Sequence, residues 1–255
     1  MSYACKLGHA LGGSVTLFNV QSLAEKTPEQ ALFGEAMNVD AASAKLEEWA
    51  REATRVFHVS CYPEVASTMM AMSKLIRERS SAFDLVVMGT FGADDWFDVF
   101  LGSNTYKVLK KSEVPVLLVP EGCLFSEIRN IVYAFDYLHH KEVPITQLKS
   151  LAKPLNCGIT IFQVFDRELT PDEEETLKVK QGQLTKLLQN EVRLGFEKVS
   201  ARSRIEALRL KMSKPGNDLL ALCPVHHNLK DRLFHRSLVK EVSDHPDFPV
   251  MVFHS

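Results

Sequence analysis

The sequence contains no apolar run near the roughly 20 residues that a membrane-crossing helix needs, and its first residues lack a basic stretch followed by an apolar one. Those absences leave no membrane segment in the reading and carry the expectation of a cytoplasmic protein. An excess of one charge is also missing: 30 Lys and Arg stand against 32 Asp and Glu, a net charge of −2. Nucleic acid and an anionic membrane surface are therefore not expected partners. Five cysteines, Cys5, Cys61, Cys123, Cys157 and Cys223, form no CxxC pair and no zinc spacing. They read as reduced, mostly buried thiols, and no metal ligand set is assigned.

What is present is the composition of a soluble globular protein, with 45% hydrophobic and 24% charged residues. At 255 residues the chain is long enough for two domains of ordinary size. Ala4, Leu7, Ala10 and Leu11 recur at helical spacing, and Gly12 and Gly13 stop that helix. Ser14 to Val20 reads as a strand, and Ser22 to Asn38 as a loop. Asp40 is the expected N-cap of a helix through about Arg55, followed by a short strand near Val56 to Cys61 that Pro63 ends. A third helix is expected from about Val65 to Arg79, with Met69, Met70 and Met72 on its core side. Strands alternating with helices call for a doubly wound, mostly parallel sheet.

The stretch Asp84 to Val119 organises the rest. It reads as a strand ending at Met88, a loop with Gly89 and Gly92, a helix opening at Gly102 and Ser103, and a second strand, Val114 to Val119. Glycines let the backbone approach a phosphate, and the unpaired amides of a helix start face it. The competing reading is that Gly89 and Gly92 only shape a turn. Asp94, Asp95 and Asp98 lie in the same loop; they are either a solvated acidic tip or a set of carboxylates that magnesium bridges to a phosphate. Trp96, Phe97 and Phe100 anchor the loop on the fold or on a partner.

The spacing GxxG, nine residues, then Gly and Ser resembles the nucleotide motif of universal stress proteins, in which it holds the phosphates of ATP or AMP. A repeat extends the resemblance along almost the whole chain. Leu155 to Val164 aligns with Leu11 to Val20, placing Thr160 on Thr16 and Phe162 on Phe18. The segment from Asp218 aligns without gaps on that from Asp84, placing Phe234 on Phe100, Ser237 on Ser103 and Pro249 on Pro115. The halves differ in what they keep. Asn130 to Phe135 reads as an opening strand ending in Asp136, and the first half has no counterpart for it, the pattern expected of a truncated longer protein or of a chain in which another segment fills the gap. In the second half Cys223, His226 and Arg236 replace Gly89, Gly92 and Gly102, so that site is read as having lost its nucleotide. His139, His140, His226, His227 and His235 fall on loops at the carboxyl ends of strands, where solvated side chains or a metal site are the alternatives.

The resemblance implies two tandem α/β domains of the adenine nucleotide alpha hydrolase-like kind, each a doubly wound, mostly parallel five-stranded sheet. They span residues 1–120, N-terminally incomplete with the glycine loop intact, and 129–255, with the loop degenerate. It implies a pairing of the terminal strands Val114 to Val119 and Pro249 to Phe253 as a pseudo-dimer, or a homodimer. In the first domain Gly89 and Gly92 admit the phosphates of ATP or AMP, with or without Mg2+. Gly102, Ser103, Asn104 and Thr105 contact them at the helix start. Val20 and Met88, at the ends of neighbouring strands, receive adenine and ribose on their backbone. The implied function is a nucleotide-responsive stress regulator. The alternatives are a scaffold working through dimer and partner surfaces, and a weak ATPase, for which no motif places a general base.

Overall fold

The computed structural model describes residues 1–22, 39–68, 70–89, 103–135, 144–188, 191–223 and 248–254, apart from the side chains of Ser22, Met72, Ser103, Asn104, Tyr106 and Lys110. It is an α/β fold with mostly parallel strands, as the alternation of elements requires. The described residues divide into two compact units, 1–84 with 103–113 and 85–102 with 114–255.

The first unit contains helices α1 (Ser2–Ala10), α2 (Val39–Phe57), α3 (Met72–Ser80) and α4 (Ser103–Lys111). With them runs a two-stranded parallel sheet of β1 (Val15–Ser22) and β2 (Cys61–Thr68). Helix α1 buries Tyr3, Cys5 and Leu7 and ends where Gly12, at φ +68°, donates its amide to the His9 carbonyl at 3.0 Å. That left-handed position favours glycine. Helix α2 buries Leu46, Ala50 and Ala53 on one stripe.

Three sequence expectations change here. Asp40 is not the N-cap of α2 but lies in its first turn, where its charge suits the positive helix end. Pro63 does not end a strand, because β2 runs on through it to Thr68, in register with β1 from Val15↔Cys61 to Ser22↔Thr68. Strand β2 has one hydrogen-bonded neighbour, so a residue without an N–H is tolerated on its open side. Residues Val65 to Thr68, expected in a helix, therefore extend the ladder, and α3 starts only at Met72. Met70 is half-buried, whereas Met69 and the Met72 side chain lie outside the described residues.

The second unit is built on a seven-stranded sheet of β3 (Val86–Gly89), β4 (Val116–Val119), β5 (Asn130–Ala134), β6 (Gly158–Phe165), β7 (Leu194–Ser200), β8 (Leu219–Leu222) and β9 (Val250–Val252). Their order is β3-β4-β9-β8-β5-β6-β7, and all neighbours are parallel except β4 and β9. Among the described residues the strands thus divide two and seven between the sheets, where two five-stranded sheets, the first without its opening strand, were expected. Edge-to-edge pairing of β4 with β9, Leu117 opposite Met251, satisfies both strands' backbone groups and makes one sheet of the rest. Among the described residues no strand pairs with the second side of β3 or of β1.

Registers recur along the chain. Val86↔Val116 in β3–β4 and Leu220↔Val250 in β8–β9 are parallel pairs with the same separation in sequence. Strands β4, β8 and β9 are buried throughout, as near-continuous apolar runs in a covered parallel sheet should be. Helices α5 (Ile145–Ala152), α6 (Pro171–Leu188) and α7 (Arg204–Met212) belong to this unit. Helix α6 starts on a capping box: the Thr170 amide donates to Glu173 Oε2 at 2.8 Å, and the Glu173 amide donates to Thr170 Oγ1 at 3.3 Å. Pro171 opens the helix, where its missing N–H costs nothing.

Candidate nucleotide site

Of the eight residues singled out in the sequence, Gly92 and Gly102 lie outside the described residues, as do Asp94, Asp95, Trp96, Phe97, Asp98 and Phe100. The other six fall on the two units. In the first, Val20 is half-buried near the carboxyl end of β1, and Ser103, Asn104 and Thr105 form the opening turn of α4. No acidic residue occupies that turn, so no side-chain carboxylate offsets the positive end of the helix dipole. Thr105 is buried at 7% exposure, which places its side chain toward the protein. Lys111, at the far end of α4, donates to Ser73 Oγ of α3 at 3.4 Å, while Arg77 of α3 pairs with Glu113 at 3.2 Å.

In the second unit, β3 carries Met88 and runs one residue further than expected, through Gly89. Gly89 is exposed, its φ lies outside the left-handed region, and no described atom would come within 4 Å of an added Cβ. Nothing among the described residues therefore requires a glycine at this position, and its backbone is exposed. Val20 lies on β1, which bonds to β2 in one sheet, and Met88 lies on β3, which bonds to β4 in the other.

At the end of β8, Cys223 stands where the repeat puts a glycine. Its half-buried thiol is pushed up to about 11 by burial, against the opposing effect of the Tyr133 hydroxyl beside it. Tyr133 stacks on Phe135 with ring centroids 5.4 Å apart. Buried aromatic and apolar groups therefore line the described end of β5 and β8. Asp136, the five histidines, Arg236 and Ser237 lie outside the described residues. Among the described residues no cluster of His, Cys, Asp or Glu is arranged to hold a metal ion, and no helix is long and apolar enough to cross a membrane.

A cleft of about 390 Å³ lies at the opposite pole of the second unit, lined by Lys153, Asn156, Cys157, Glu191 and Arg193. These residues precede β6 and β7, so the cleft opens at the amino ends of the strands. Ligands of open α/β sheets sit at the carboxyl ends. Lys153 is engaged with Glu191 at 3.3 Å, and burial pushes the Cys157 thiol up to about 11.

The strand end at Gly89, the helix start at Ser103 and the sequence spacing between them are the features that a family comparison must match. Residues 1–120 match the Universal stress protein family. The universal stress protein match thus includes β3, α4, β4 and the glycine loop. Solved structures resemble the whole chain. A universal stress protein from Archaeoglobus fulgidus has a TM-score of 0.70 at 16% identity, covering 99% of this chain and 92% of that one. A functionally unknown protein from Pseudomonas aeruginosa has a TM-score of 0.59 at 14% identity, covering 97% and 94%. The cytoplasmic domain of a prokaryotic cation chloride cotransporter has a TM-score of 0.52 at 10% identity, covering 94% and 84%. At such identities the likeness is one of fold. No curated protein matches the sequence.

Proposed function

We propose that the chain is a stress-response regulator that binds ATP or AMP through the glycine loop of its first 120 residues. The observation that supports this reading is the element that each end of the motif occupies. Gly89 closes a strand, Ser103 opens a helix with no acidic first turn, and both lie within the matched universal stress protein region. Gly89, Gly92 and Gly102 admit the phosphates, while Ser103, Asn104 and Thr105 supply the helix-start contacts. Val20 and Met88 supply backbone for adenine and ribose. Mg2+ accompanies ATP in so far as the acidic loop residues reach it.

The chain is, in the same reading, two tandem domains, 1–120 and 129–255, the second with a degenerate loop. The recurring registers of β3–β4 and β8–β9 support it, as does Cys223 at the position of a motif glycine. The β4–β9 ladder is the seam of an intramolecular pseudo-dimer. Nucleotide occupancy, rather than turnover, is the signal.

Isothermal titration of the chain with ATP and with AMP, each with and without magnesium, tests the proposal. A single site per chain with a dissociation constant below about 1 mM, worth about −4 kcal/mol or more, is the expected result. No binding of either nucleotide at millimolar concentration refutes it and leaves the scaffold.

A further inference from the structure

The first unit holds two cysteines in contact. Cys5 lies on the buried face of α1 with no exposed surface, and Cys61, the first residue of β2, is partly exposed. They are 56 positions apart in sequence, yet their sulfurs are 3.8 Å apart. A disulfide bond is about 2.0 Å long, so the gap to close is roughly 1.8 Å. Neighbouring groups hold both residues. Cys5 belongs to a cluster with Ala53 and Val59, against which Val15, Phe57 and Cys61 pack. The Cys61 amide donates to Thr54 Oγ1 at 3.1 Å, and Cys61 pairs with Val15 across the β1–β2 ladder.

We propose that Cys5 and Cys61 form a reversible thiol–disulfide switch, closed by a peroxide and opened by a dithiol reductant. Cys61, the accessible partner, reacts first. Its thiolate attacks one peroxide oxygen, an S–O bond forms, the O–O bond breaks, and the leaving hydroxide takes up a proton to become water. The Cys5 sulfur then attacks the Cys61 sulfur. An S–S bond forms, the S–O bond breaks, and the hydroxide leaves as a second water with the Cys5 proton. The two thiols together lose two electrons, and the peroxide gains them.

Burial, and then the neighbouring Cys61, push the Cys5 thiol up to about 12. The second step is therefore slow near neutral pH. Closure ties α1 to β2 around a loop that contains β1 and α2, restricting the unfolded chain more than the folded one.

The test treats the full chain with hydrogen peroxide, alkylates it, digests it with trypsin and reads the products by mass spectrometry, beside thermal melts with and without dithiothreitol. The expected product joins peptide 1–6 to peptide 56–74. Dithiothreitol should abolish that product together with a rise in melting temperature of at least about 5 °C. Cys61→Ser, at the more exposed position, should lose both signals while still folding, and Cys5→Ala should lose them too. Oxidation of Cys61 to sulfinic acid while Cys5 remains open to alkylation after unfolding, or linkage of Cys61 to a different cysteine, would overturn the proposal.

Discussion

The seam between β4 and β9 makes a quantitative prediction. Leu117 and Met251 face each other across this antiparallel ladder, with 0% and 1% of their surfaces exposed. Truncating either to alanine removes methylene groups from a packed sheet face and leaves a cavity, which costs about 2–5 kcal/mol. Residues directly opposite share a face, so the losses couple. The double variant Leu117→Ala/Met251→Ala should be less destabilised than the sum of the single variants by about 0.5–3 kcal/mol. Equilibrium urea unfolding of the four proteins measures this, provided the slopes agree. Ile159→Ala is the control. Strand β6 lies four positions from β4 in the sheet, roughly 19 Å at about 4.8 Å per strand, so it should combine additively with Leu117→Ala. Additivity of Leu117→Ala and Met251→Ala within about 0.3–0.5 kcal/mol would mean that the two side chains do not meet, and the β4–β9 pairing would fall with it.

Two other perturbations separate binding from folding and charge from shape. Gly89→Val adds a side chain where no described atom lies within 4 Å. It should change unfolding free energy by less than about 1 kcal/mol but weaken ATP at least tenfold, about 1.4 kcal/mol, in titration; equal affinity would remove Gly89 from the site. Glu173 of the α6 capping box has its carboxyl held down at about 2, against an ordinary 4.5, by the Arg167 hydrogen bond first and then by the Thr170 amide. Because the folded value is depressed, its stabilisation is present above the unfolded value and is lost as pH falls from about 4.5 toward 2. The gap in denaturation midpoint between the native chain and Glu173→Gln should therefore be constant near neutrality and close across that window. A gap that persists unchanged to pH 2 would show that the carboxylate charge contributes nothing.

Much of the local structure is written in short-range chemistry. The stop at Gly12 follows from glycine's access to positive φ, and the start of α6 from the Thr-Pro-Asp-Glu run that satisfies its first amides. The buried runs Val116–Val119 and Leu219–Leu222 announce strands covered on both faces. Pro63 misleads for a physical reason. Its missing N–H ends a central strand but not an edge, and edge status depends on partners elsewhere in the chain. The continuation of β2 to Thr68 was equally hidden, because it is decided by eight pairings with β1.

The sequence by itself determined the α/β class, the alternation that makes the strands parallel, and the glycine spacing shared with universal stress proteins, since all three depend on residues near one another in the chain. Tertiary structure alone decided that β4 and β9 join edge to edge, that Val20 and Met88 belong to different sheets, and that Cys5 meets Cys61. Each of those facts is a contact between distant residues. It is fixed by which edges pair and which faces are buried, quantities that no local pattern encodes.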